Sequence, residues 1–137
     1  MNFSYKITVP KETVKYSPKK LIVPLEYGII TRVLIIIPDG QKETTHVRMK
    51  YHEAQLYPLN RGEWYQGDGS EIEFEDRFPM IVVPYELKIE GYNESTVYDH
   101  AVLFNFNILK PYEIGWTEIP SEAMAKLYAL LGTEIEV

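Results

Sequence analysis

Phe3, Tyr5, Ile7 and Val9 alternate with Ser4, Lys6 and Thr8 at the start of the chain. Successive side chains of a strand point to opposite faces, so this rhythm predicts a strand with one face buried. The same period recurs along most of the sequence. "KLIVPLEYG" (20–28) is extended in pattern, with Pro24 as an interruption. "GIITRVLIIIPDG" (28–40) follows. There Ile29, Val33, Ile35 and Ile37 share one face, and Ile30, Leu34 and Ile36 share the other with Arg32. A strand apolar on both faces is expected to be central and covered on both sides. "PDG" ends it, because Pro presets φ and Asp-Gly accepts a tight turn.

In "TTHVRMKYHE" (44–53), Val47, Met49 and Tyr51 are expected to face in, and His46, Arg48, Lys50 and His52 out. "EIEFED" (71–76) opposes Ile72 and Phe74 to Glu71, Glu73 and Glu75. "MIVVPYELKIEGYN" (80–93) predicts two short strands around Pro84, and Val97 to Leu109 predicts the last long one. About eight strands separated by turn signals predict a mostly β protein, an antiparallel β-sandwich or jelly roll. Only the end breaks the pattern. Met124, Leu127, Tyr128 and Leu131 recur at helical spacing, between a candidate N-cap at Ser121 and a terminating Gly132. A C-terminal helix is expected over 119–132.

The length of 137 residues suits one domain. The expected organisation is an N-terminal strand and basic arm over 1–20, a sandwich core over 21–115, and the helix. Residues 10–20, "PKETVKYSPKK", carry two prolines, which supply no ladder donor, and Lys11, Lys15, Lys19 and Lys20. Hydrophobic residues make up 45% of the chain, enough to build a core, and no apolar run reaches membrane-spanning length. The opening "MNFSYKITVP" lacks the charged and apolar regions of a secretory signal. With no cysteine there are no disulfides and no thiolate metal ligands.

A net charge of −6 argues against a general nucleic-acid binder. The charge is unevenly divided. Residues 1–50 hold nine Lys and Arg against four Asp and Glu, or +5; residues 51–137 hold five against sixteen, or −11. Two readings fit: a solvated surface with chance clustering, or a basic segment facing an acidic one in the same or a neighbouring subunit.

Candidate chemistry narrows the function. Asp99 and His100 are adjacent on a strand, so their side chains diverge and cannot form the Asp–His bond that orients a catalytic imidazole. His46 and His52 are about 20 Å apart along an extended strand, too far to share an ion. Glu71, Glu73, Glu75 and Asp76 read as an outward strand face rather than a glycosidase pair, and "GDGSE" lacks the spacing of a calcium loop. No nucleophile elbow, phosphate loop or H-E-x-x-H occurs. No metal and no cofactor is expected. Exposed aromatics then matter most. The irregular stretch 58–70, "PLNRGEWYQGDGS", reads as a binding loop with Tyr57, Trp64 and Tyr65 at or beside it, and Tyr92 beside another turn.

Three runs together, "YGIITRVLIIIPDG", "QLYPLNRGEWYQGDGSEIEF" and "PYELKIEGYNESTVYDHAVLFNFNIL", resemble small β-rich accessory and head-decoration proteins of tailed bacteriophages. The resemblance covers about Gly28–Leu109, does not extend to the helix, and carries over no catalytic or ligand residues. It implies a non-enzymatic virion component, made in the host cytoplasm, oligomeric, and bound to capsid or other virion protein. The expected contacts are the aromatic loop, the lysines of the arm, and Leu127, Tyr128 and Leu131 of the helix. The alternative is a carbohydrate- or receptor-binding sandwich whose aromatics stack on a glycan. A cupin-like metalloenzyme, the third reading, is poorly supplied by three scattered histidines.

Overall fold

A computed structural model describes residues 1–110 and 124–130 of the chain. Among the described residues there are nine strands: β1 (Asn2–Val9), β2 (Lys19–Pro24), β3 (Gly28–Ile37), β4 (Thr45–Tyr51), β5 (Ala54–Tyr57), β6 (Tyr65–Gln66), β7 (Ser70–Met80), β8 (Glu86–Asn93) and β9 (His100–Leu109). They form two antiparallel sheets, ordered β1-β9-β3-β7 and β2-β8-β4-β5. β6 also pairs with β4, through His46 and Val47, while β5 pairs with its other end, Met49 to Tyr51. Since β8 occupies one side of β4 from Thr45 to Lys50, β5 and β6 lie end to end on the other. Counted as one interrupted strand, they leave eight strands in the order of a jelly roll.

The register shows how the chain wraps. Partner numbers add to 109 from Asn2↔Asn107 to Val9↔His100, to 110 from Lys19↔Gly91 to Pro24↔Glu86, and to 108 at Gly28↔Met80. The chain is thus one long antiparallel ribbon folded back on itself. A second series closes the roll: Ile29↔Leu109 and Thr45↔Asn93 both add to 138. The ribbon sets strands of the basic first half beside strands of the acidic second half. Arg32 pairs with Glu73, and Arg48 and Lys50 both reach Glu90, so part of the charge imbalance is met inside the fold.

The inner faces supply the core. Ile7, Val33, Ile35, Phe104 and Phe106 come from the first sheet, and Val47, Met49, Tyr51, Leu87 and Ile89 from the second, all at most 2% exposed. At Gly91 a Cβ would lie 2.9 Å from Val9 Cγ2, so the bare backbone lets the two sheets approach there.

Several expectations are corrected. Residues 10–18 are not a free arm. Glu12 N–H donates to Ser95 O (2.9 Å), Asn93 N–H to Thr13 O (3.0 Å) and Lys11 N–H to Asp99 Oδ1 (2.8 Å), so the segment is bound along its own domain. Lys19 and Lys20 belong to β2, an edge strand, where lysines and Pro24 discourage pairing with another chain. Met80 completes β7 rather than opening a new strand, and 81–85 is a connection containing the cis Val83–Pro84 bond. A register shift between Ile30 and Arg32 turns Ile30 inward beside Val33 and Ile35. Among the described residues no second sheet covers the outer face of β3, where Leu34 and Ile36 are half-buried. Helix α1 is described over 124–130. Its inward residues are Met124, Leu127 and Leu130, while Tyr128 is 66% exposed. Ser121, Leu131 and Gly132, and the remainder of the spans expected for core and helix, lie outside the described residues.

Candidate functional site

The irregular stretch after β5 separates the aromatics it was expected to gather. The Gln55 amide organises it: Nε2 donates to the carbonyls of Pro58 (2.8 Å), Asn60 (3.1 Å) and Glu63 (3.2 Å), and Oε1 accepts from Gly62 N–H (3.3 Å). The chain then enters β6, where neighbouring side chains point to opposite faces. Trp64 goes to the outside of the second sheet. Tyr65 goes inward, to the open side of the sandwich between β5 and β7.

On the inner side Tyr57, Tyr65 and Phe74 surround the carboxylate of Asp76. The Tyr57 ring meets Phe74 edge-on at 5.0 Å, and Tyr65 stacks on Phe74 at 6.2 Å. Tyr57 Oη donates to Asp76 Oδ2 at 2.6 Å, and Lys126 of α1 pairs with Asp76 Oδ1. The result is a cleft of about 360 Å³ whose rim includes Leu59 and Asn60. Burial, and then the Asp76 charge, push the Tyr65 phenol up to about 12 and hold Tyr57 well above its ordinary value. Tyr57 therefore acts as a neutral donor, and Asp76, its side chain 9% exposed, anchors helix α1 through Lys126.

On the outer side Trp64 meets Tyr92 edge-on at 4.7 Å, and Tyr92 stacks on His46 at 4.3 Å. The Arg48 guanidinium lies 4.1 Å from the centre of the indole ring. Arg48 Nε also donates to Glu90 at 2.8 Å; the Glu90 side chain is only 3% exposed and Lys50 approaches it at 3.4 Å. His46 Nε2 lies 2.7 Å from Glu94 Oε1. Arg48 thus occupies one face of Trp64, which leaves the indole a packed element of the sheet rather than an open platform.

The other expected contact residues fall apart in space. Lys11, Lys15, Lys19 and Lys20 are exposed, the first two in the bound segment and the last two in β2. Leu127 is 1% exposed and consumed by the chain's own core. Tyr128 is open to solvent. Asp99 serves the Lys11 backbone and not His100. Among the described residues no group of three or more His, Asp or Glu side chains could hold a metal ion, and no helix is long and apolar enough to cross a membrane.

A third feature lies on the outer face of the first sheet. Lys6, Leu103, Ile36 and Glu71 form one cross-strand row, and Ser4, Asn105, Leu34 and Glu73 the next. Leu103 is 38% exposed, and Leu34 and Ile36 are half-buried only by their neighbours. A shallow depression of about 420 Å³ lies along Ser4, Lys6, Leu34, Ile36 and Leu103. The sequence signal for this patch is present twice: β3 is apolar on both faces, and Leu103 interrupts the outward series Ala101, Asn105, Asn107 of β9. Comparison with known proteins gives no matching family model and no match among curated proteins.

Proposed function

We propose that this chain is a non-enzymatic structural protein of a virion, a decoration or accessory protein that works by self-association and adhesion to other virion protein. The observation that carries the reading is the contiguous aliphatic patch Leu34, Ile36 and Leu103 on a sheet face that nothing among the described residues covers. Single exposed apolar side chains are ordinary, but side-by-side ones across two paired strands mark a contact surface. The jelly-roll strand order agrees, since this architecture recurs in viral capsid and lectin domains, although a fold alone does not choose among functions. The glycan-binding alternative draws less support. Of its candidate rings, Trp64 has one face taken by Arg48 and Tyr57 is 2% exposed.

The test is co-purification. Virus particles assembled in cells that express the gene should contain this chain in a fixed number of copies, measured by quantitative mass spectrometry of purified particles. Its absence from intact particles overturns the virion assignment.

A further inference from the structure

We propose that the outer face of the β1-β9-β3-β7 sheet docks on the same face of a second copy of this chain, about a two-fold axis running parallel to the strands. The inference rests on the assembly reading above and names the partner and geometry of its contact surface.

Three observations select a second copy. The first is the patch itself: Leu103 and Ile36 are direct cross-strand partners with Leu34 beside them, and nothing among the described residues covers them. The second is the polarity of the row. It begins with the Lys6 ammonium on edge strand β1 and ends with the Glu71 carboxylate on edge strand β7. Among the described residues neither Lys6 nor Glu71 takes part in an ion pair, whereas Glu73 is already held by Arg32. A two-fold axis along the strands exchanges the two ends of the row. It sets Lys6 of each copy over Glu71 of the other and the aliphatic centres against each other. An axis across the strands would set like charges together. The face is therefore self-complementary in one orientation, as an isologous contact requires.

The third observation is size. Four strands about 4.8 Å apart and about eight residues long give a face of roughly 500 Å². Two such faces bury about 1,000 Å², the low end for a specific interface, so association should be weak and depend on concentration. The rim charges fix orientation more than they add affinity.

The chain has no cysteine, so an introduced thiol is unique. Lys6→Cys and Glu71→Cys are made as separate proteins and treated with a bis-maleimide that spans about 10 Å, the spacing of packed sheets. The mixture of the two variants should give a cross-linked dimer, and each variant alone should not. Homotypic cross-linking of either variant overturns the proposed axis. Absence of the mixed product, while light scattering still finds associated wild-type protein, overturns the proposed face and leaves the assembly reading standing. Wild-type protein that stays monomeric throughout the concentration series overturns self-association, and this proposal with it.

Discussion

Asp76 shows what a single buried carboxylate does here. It accepts from Tyr57, pairs with Lys126, and through its charge helps keep Tyr57 and Tyr65 protonated. Both phenols have folded-state values raised above their unfolded value near 10. Stability from the neutral phenols is therefore complete below that value and is lost as pH rises through the raised values, about 12 for Tyr65. An ultraviolet absorbance titration should show Tyr57 and Tyr65 among the late-ionising members of the eleven tyrosines, with Tyr65→Phe removing one late phenol. Simultaneous ionisation of all tyrosines would contradict the burial of this cluster. Sequence pattern marked Tyr57 and Tyr65 but not Asp76 or Lys126. In "EIEFEDR" Asp76 continues an apparently outward acidic run, yet it shares a face with Ile72 and Phe74; only alternation counted from Phe74 places it inside.

At the scale of elements, the strands were legible because one face of each is buried. Period two then survives through nearly all of β1 and β9, and in β4, β7 and β8 outside one run of three buried residues each. The arm was not legible, because the contacts that bind 10–18 run from backbone groups to Asn93, Ser95 and Asp99, eighty or more residues away. The helical pattern gave Met124 and Leu127 of the inward face, but not that Tyr128 lies outside it. A short helix set against the open side of a sandwich buries a narrow stripe, Met124–Leu127–Leu130, and leaves Tyr128 outside. Leu127 fills part of the core, so Leu127→Ala should cost about 2–5 kcal/mol in urea unfolding. A change within error of zero would mean that the helix does not dock.

The whole molecule is a ribbon wound into a jelly roll, and the winding was only partly foreseeable. Strand count and spacing indicated a sandwich. The pairing of β3 with β9 and of β4 with β8 is set by how the ribbon closes, which no local pattern encodes. The apolar outward side of β3 was expected to lie beneath another layer. Among the described residues nothing covers it, and its partner on β9 is Leu103. In the proposed assembly a second molecule supplies that cover. The most direct measurement is the light-scattering mass of wild-type protein and of Leu103→Lys across a concentration series, with circular dichroism to verify that both are folded. The wild-type mass should climb from 16.0 kDa toward twice that value while Leu103→Lys, folded, stays at 16.0 kDa. Equal association of the two proteins would contradict the claim.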